Sequence, residues 1–281
     1  MEKKEKKDQF VVAYIADYSE VNTVVSYSLF LSAMLRKGII LLRISDPYYT
    51  SETTAEAEVK LKAIMAGMPS GVAVTYCAIS GNTREVVSLL PKALGAVVVV
   101  GAVKDTASPK SPLNRKRIFR DFSQSKVAFL MAQEPLSDSR KLQRVGFTFD
   151  FKKESKEKLV WSSYFARFFK SELFMLSYDY KDEFLRSKWL GNVKFADKLF
   201  DNLNVTYRKQ SIGSRQKLFM DVLALDIAAQ MSIGLLVATT TNEKDAIEYF
   251  IGVQENRTAV NKYRIPVLYI NPREDLYVLC D

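Results

Sequence analysis

The sequence predicts an α/β protein of two tandem, doubly wound domains, each built on a five-stranded parallel sheet. Three observations predict it. The pattern of strands and helices from Phe10 to about Pro135 recurs from about Val145 to Asn271. Matching points lie 132 to 140 positions apart: Gly81 with Gly213, Asp17 with Asp150, Val127 with Val267. Within each pass, short apolar runs alternate with amphipathic segments, which implies right-handed βαβ crossovers and a parallel sheet. The length of 281 residues suits two domains of common size. The polar stretch Pro135 to Arg144 is the natural linker, so the domains are placed at 1–138 and 139–281.

Each element has a local reason. FVVAYIAD (Phe10 to Asp17) is continuously apolar and β-branched, as befits a strand covered on both faces. Ser19 is a candidate cap for a helix burying Val21, Val24, Val25, Leu29 and Met34, with Gly38 as its stop. IILLRIS (Ile39 to Ser45) is the second strand. Thr53 with Glu56 forms a capping box for a helix through Met65. GVAVTYCAI is the third strand, Asn82 and Glu85 open a helix from Thr83 to Leu94, and AVVVVG (Ala96 to Gly101) and KVAFLMA (Lys126 to Ala132) complete the set. The second pass offers the strands VGFTFD, ELFMLSY, VTYRKQS, IGLLVAT and IPVLYIN. Helices are expected near Lys156–Phe169, Phe184–Leu203, Leu218–Gln230 and Asp245–Tyr263.

Composition narrows the function classes. There is no histidine, which removes the commonest general base, His-assisted nucleophiles and His-ligated metals, and argues against an enzyme. No catalytic residue and no metal site is assigned. Two cysteines, Cys77 and Cys280, give neither a disulfide framework nor a zinc cluster, so a reducing cytoplasm is expected. Cys77 is expected to be a small buried residue of the third strand. The uncharged run Val21 to Leu35 is too short and too polar to span a bilayer. The net charge of +9 is spread over both halves and no nucleic-acid signature occurs, so neither membrane nor nucleic acid is an expected partner. The aromatics Trp161, Tyr164, Phe165, Phe168 and Phe169 crowd one helix at core or interface spacing.

Three stretches resemble the universal stress protein family. A first strand ends in Asp before a helix, at Asp17 and Asp150. SGNTREVVSLLPKALGAVVVVG (Ser80 to Gly101) resembles the family's turn, third helix, Gly-Ala corner and fourth strand. IGVQENRTAVNKYRIPVLYI (Ile251 to Ile270) resembles its closing helix and strand. The resemblance implies a tandem member with an adenine nucleotide alpha hydrolase-like sheet of order 3-2-1-4-5 in each domain, and pairing of the two halves through their fifth strands. Strands one and four then flank the point where the winding reverses, where open α/β sheets bind ligands.

Nucleotide-binding members place the first-strand Asp near the base or ribose of ATP. They surround the phosphates with a loop of pattern Gly-x2-Gly-x9-Gly-Ser/Thr after the fourth strand. Such loops need glycine because a Cβ would keep the amides from the phosphate oxygens. This chain departs from the pattern: after Gly101 comes AVKDTASPKSPLNRKR, and after the second domain's fourth strand only Gly252 matches. The resemblance therefore makes Asp17, Ser19, Gly101, Asp150 and Gly252 candidate nucleotide contacts. Arg115 and Arg117, in a basic stretch from Lys104 to Arg120, are candidate anion contacts in place of glycines. The bland alternatives are that both aspartates accept the N–H groups of the turns that follow, and that the basic stretch is solvated, with Arg117 and Arg120 outward. Two functions stand side by side. One is a non-enzymatic stress-response protein with degenerate sites and no required cofactor, acting through unidentified protein partners. The other is a sensor of ATP or another adenine nucleotide, with slow hydrolysis. Further homodimerisation through exposed surfaces is left open. An adenylating or pyrophosphate-cleaving enzyme is disfavoured, because ADYSEVN stands where such enzymes carry Ser-Gly-Gly-x-Asp-Ser.

Overall fold

The computed structural model describes residues 8–105, 108, 110–123, 125–213, 220–240 and 255–271. The chain divides into two compact units, residues 1–130 and 131–281. The first holds β1 (Phe10–Tyr14), α1 (Val21–Leu35), β2 (Gly38–Ser45), α2 (Thr54–Ala66), β3 (Val74–Ser80), α3 (Thr83–Ala93), β4 (Ala96–Ala102) and α4 (Arg115–Phe122). Strand β5 (Ala128–Ala132) crosses the division. The second holds β6 (Arg144–Thr148), α5 (Glu157–Phe169), β7 (Glu172–Ser177), α6 (Glu183–Asn202), β8 (Tyr207–Ser211), α7 (Met220–Gln230), β9 (Leu235–Thr239), a helical turn Glu255–Thr258 and β10 (Val267–Ile270). The segment 135–144 is not a free linker: Asp138 caps a 3-10 turn at Ser139–Gln143, and Leu142 is buried.

In the first unit the strands lie in the order β3-β2-β1-β4-β5, and in the second β8-β7-β6-β9-β10. Both are therefore 3-2-1-4-5. Strand β1 runs parallel to β2 with Phe10 opposite Gly38 and Tyr14 opposite Leu42, and parallel to β4 with Ala13 opposite Val100. The second unit repeats this, with Thr148 of β6 opposite Leu176 of β7 and Phe147 opposite Val237 of β9. The central strands are buried on both faces, since Val11, Val12, Ala13, Leu41, Leu42, Val98, Val99 and Val100 are all inaccessible. Each such valine or leucine contributes about 1.5–3 kcal/mol, which explains why these strands read as unbroken apolar runs.

The helix starts follow their caps, with two corrections. Thr53 and Glu56 form the expected capping box on α2, and Asn82 accepts from the amides of Arg84 and Glu85 at the head of α3. Ser19, by contrast, caps nothing. Its own amide donates to Asp17, which caps a 3-10 turn (Tyr18–Glu20) ahead of α1. Helix α1 stops at Arg36, which takes the left-handed conformation at φ 55°, while Gly38 already belongs to β2. Its inward face is Val24, Tyr27, Ser28, Leu31, Ser32 and Met34. The closing helix expected through Tyr263 ends at Thr258. Cys77 is half-buried rather than enclosed, because β3 is the edge of its sheet. Of the α5 aromatics, Phe165 is fully buried and Phe168 is exposed.

Glycine is sterically required just ahead of β4 and β9. At Gly95, φ is 62° and a Cβ would fall 2.1 Å from the Asp8 carbonyl oxygen; at Gly234 it would fall 1.7 Å from that of Lys141. In both places the strand enters the sheet against the segment leading into the first strand of its unit. The amide of Phe10 donates to Gly95, and that of Gly234 donates to Arg144.

Candidate functional site

In the first unit the winding reverses between β1 and β4, and a pocket of about 320 Å³ opens beside the carboxyl ends of β1 and β2. Asp17 and Tyr18 enter it from the turn after β1, Arg43 and Asp46 from β2 and its end, Tyr49 and Glu52 from the following loop, and Arg117 from α4. Asp17 is half-buried, and its Oδ1 accepts the Ser19 amide at 2.9 Å. That is the turn-acceptor role, performed by a residue that also lines the pocket. Ser19 is exposed and lies outside the pocket lining. Gly101 is buried in β4, one residue beyond the Val100 that pairs with Ala13.

The dominant group of this pocket is Arg43, the one charge within β2. Its side chain is 10% exposed, and its Nε donates to Glu52 at 2.6 Å. Its Nη1 donates to the carbonyl of Ile15 at 3.1 Å and to that of Ala16, the two residues leading into Asp17. Lys60 of α2 reaches the other oxygen of Glu52 at 2.7 Å, and Arg43 and Lys60 both lie over the Tyr18 ring, at 5.1 and 4.6 Å. Burial alone would raise the pKa of Glu52; the hydrogen bonds from Lys60 and Arg43 outweigh it and hold the carboxyl below its ordinary range. Asp46 behaves alike. It is 3% exposed, and burial would raise its pKa, but bonds from the Thr83 amide and hydroxyl and the Tyr48 amide hold it low.

The basic stretch is not a uniformly solvated face. Lys104 pairs with Glu20, and Arg115 stands 3.9 Å from exposed Asp105. Arg120 is turned outward, bonding Asp121 at 3.0 Å and the Tyr49 hydroxyl at 3.1 Å. Arg117 is not outward: it is 7% exposed, with Nε 3.6 Å from Asp121 and its guanidinium carbon 3.2 Å from the Tyr49 ring centroid. Helix α4 buries Ile118, Phe119 and Phe122, and Arg117, one position before Ile118, is carried inward with them. Its Nη1 is buried without a hydrogen-bond partner.

In the second unit Asp150 repeats the role of Asp17. Its Oδ1 accepts the Lys152 amide at 2.9 Å, two residues on, and also the Ser155 hydroxyl at 2.5 Å. Asn192 of α6 ties this loop down through the carbonyls of Asp150 and Lys152. Beside it, Phe151, Tyr178, Tyr180 and Trp189 pack ring to ring at 5.7 to 6.2 Å. The switch point between β6 and β9 carries Lys158 of α5. This residue is 2% exposed, and its Nζ donates to Thr148 at the end of β6 (3.1 Å) and Thr239 at the end of β9 (3.4 Å). Burial pushes its pKa down, against the pull of Asp150 and Asp221. Gly252 lies outside the described residues, as does Cys280.

Of the residues singled out in the sequence, the structure brings Asp17 and Arg117 to one pocket. Arg115 and Gly101 do not line it. The residues that dominate both crevices, Arg43 and Lys158, escaped sequence reasoning, though each left a trace. Arg43 interrupts an otherwise uncharged buried strand. Lys158 continues the inward helical face of Ser162 and Phe165, at i, i+4 and i+7.

No family model matches the chain, and no curated protein matches its sequence. Solved structures do. A universal stress protein from Archaeoglobus fulgidus superposes with a TM-score of 0.70 at 11% identity, over 95% of this chain and 97% of that one. A functionally unknown protein from Pseudomonas aeruginosa gives 0.65 at 12%, over 97% and 96%. The cytoplasmic domain of a prokaryotic cation chloride cotransporter gives 0.54 at 11%, over 94% and 95%. The chain thus has the α/β fold of universal stress proteins over nearly its whole length. Among the described residues, no helix is long and apolar enough to cross a membrane.

Proposed function

We propose that this chain is a non-enzymatic, tandem universal-stress-type regulatory protein of the cytoplasm whose output is a protein partner. Its two ligand crevices are held by its own cations rather than by ATP. The observation that carries this reading is Arg43, bonded to Glu52 and to the carbonyls of Ile15 and Ala16 beside Asp17, in the pocket where a family nucleotide would lie. Lys158, lodged between Thr148 and Thr239, supports the same reading in the second unit. Displacing either group would strip hydrogen bonds from a buried charge, a cost that ATP would have to offset before binding.

The adenine-nucleotide sensor keeps one observation in its favour: Asp17 and Arg117 share a pocket. Calorimetry of the whole chain with Mg-ATP decides between them. The closed-crevice reading expects no saturable heat from the wild type. A tight isotherm abolished by Asp17→Ala would sink it and establish the sensor. A nucleotide found by mass spectrometry in the freshly purified protein would do the same.

A further inference from the structure

We propose that the free edge of β3 is a seam between two copies of this chain, joined by antiparallel β3–β3 pairing across a two-fold axis at Cys77. In the strand order of the first unit β3 is terminal, with β2 on one side and, among the described residues, no strand on the other. Its sequence, VTYCAIS (Val74–Ser80), has neither a charge nor a proline, the devices that ordinarily blunt an exposed edge. None of its 7 residues is buried, and Val74, Tyr76, Cys77, Ala78 and Ile79 all keep apolar surface open. The seam does not depend on whether either crevice takes a nucleotide.

The backbone fixes the register. The Ile39 amide donates to the Ala73 carbonyl and the Gly81 amide to that of Ser45, so the odd-numbered residues of this segment turn their peptide groups to β2. Alternation then turns the amides and carbonyls of Val74, Tyr76, Ala78 and Ser80 to the open side. A two-fold at Cys77 sets Tyr76 opposite Ala78 of the second copy, and Val74 opposite Ser80, so each outward peptide group meets a partner. Cys77 then faces Cys77 at a non-hydrogen-bonded position, where Cα atoms approach to about 4.5 Å, within the span of a disulfide.

Charge selects a second copy over a foreign strand. Helix α2 packs on β3, and Lys62 lies 5.5 Å from the Tyr76 ring centroid and 3.9 Å from Glu58, while Lys60 turns away to Glu52. The helix runs opposite to the strand, as a βαβ crossover requires, so Glu58 stands about 6 Å, or roughly two strand residues, nearer the carboxyl end of β3, level with Ala78. Because Tyr76 of one copy is opposite Ala78 of the other, Lys62 of each copy comes level with Glu58 of its neighbour. Both side chains are open to this exchange, at 55% and 44% exposed. The other terminal strand lacks the fit: β8 is YRKQS, and the same operation about its middle residue would set Lys209 against Lys209.

Sedimentation equilibrium of the whole reduced chain tests the seam. A monomer–dimer equilibrium is expected, about tenfold or more weaker in Ala78→Pro, which removes one outward amide from each copy and leaves the β2 ladder intact. Glu58→Lys should weaken the dimer, and Glu58→Lys combined with Lys62→Glu should restore it. In a Cys280→Ser chain, diamide should join two copies through a Cys77–Cys77 disulfide, taking up the two electrons and two protons that the thiols give up. A chain that stays monomeric at every concentration overturns the proposal and leaves the edge to a strand of another protein. A dimer unchanged by a folded Ala78→Pro also overturns it, as does a dimer that diamide does not cross-link at Cys77. Should Ala78→Pro fail to fold, the charge exchange decides, and a double variant that does not recover the dimer overturns the seam.

Discussion

Replacing Arg43 by methionine tests the closed first crevice directly. The substitution keeps an unbranched stem and removes three hydrogen bonds: one to Glu52 at 2.6 Å, one to the Ile15 carbonyl at 3.1 Å and one to the Ala16 carbonyl. Breaking a buried ion pair from one side costs roughly 3–5 kcal/mol. Glu52 keeps Lys60 at 2.7 Å, so its charge stays partnered and the estimate falls to the low end. The two orphaned carbonyls prevent it from falling much further, since each buried unsatisfied acceptor costs about 1 kcal/mol or more. The expected loss is therefore about 3 kcal/mol, or roughly a hundredfold in the local opening equilibrium. Hydrogen-exchange mass spectrometry on peptides covering β1 and β2 reads this opening. Peptides of β6 and β7 report on the second unit in the same sample. A double-mutant cycle with Glu52→Gln isolates the ion pair, for which a coupling of about 1.5–3 kcal/mol is expected. A loss under about 1 kcal/mol with negligible coupling would mean that Arg43 is solvated and mobile, and the argument for a closed crevice would fail.

Three further outcomes follow from other parts of the structure. Asp46→Asn should cost about 2–3 kcal/mol at pH 7, because three donors lose their anionic acceptor. Its folded pKa is depressed, so the wild-type contribution is present above about pH 3.9 and lost as pH falls through the lower folded value. Urea titrations at pH 7 and pH 3 should show the gap between wild type and variant closing. Lys158 has the opposite sense: its lowered pKa makes the unfolded chain bind more protons, so wild-type stability should rise with pH between the folded value and about 10.4. Lys158→Met should abolish that slope, worth about 1.4 kcal/mol for each unit of depression, and an unchanged slope would show that the amine is ordinary. Gly95→Ala should cost about 2–4 kcal/mol by thermal melting, since φ is 62° and the new Cβ meets the Asp8 carbonyl at 2.1 Å; a neutral effect would mean that this entry to β4 is loose.

The sequence by itself determined the scaffold. A parallel sheet covered by helices needs strands apolar on both faces, and Val11, Leu41 and Val99 announce this through composition alone. The capping box at Thr53 and the Asn82 cap were equally visible, because a cap satisfies amides two or three residues away. Asp17 and Asp150 recur for the same local reason, each accepting the amide two residues on. The apolar run is longer than the strand, because burial continues past the last paired residue: Ile15 and Ala16 are buried but follow β1.

What only the tertiary structure decided is which charges are enclosed and what they meet. Arg43 finds Ile15 and Ala16 about 28 positions away, Lys158 finds Thr239 at 81, and Arg117 turns inward onto Tyr49. A residue type records the capacity of a side chain to be charged or to donate. Whether that capacity faces water, a carboxylate or nothing depends on strands brought side by side by crossovers, and no local pattern in the chain encodes that juxtaposition.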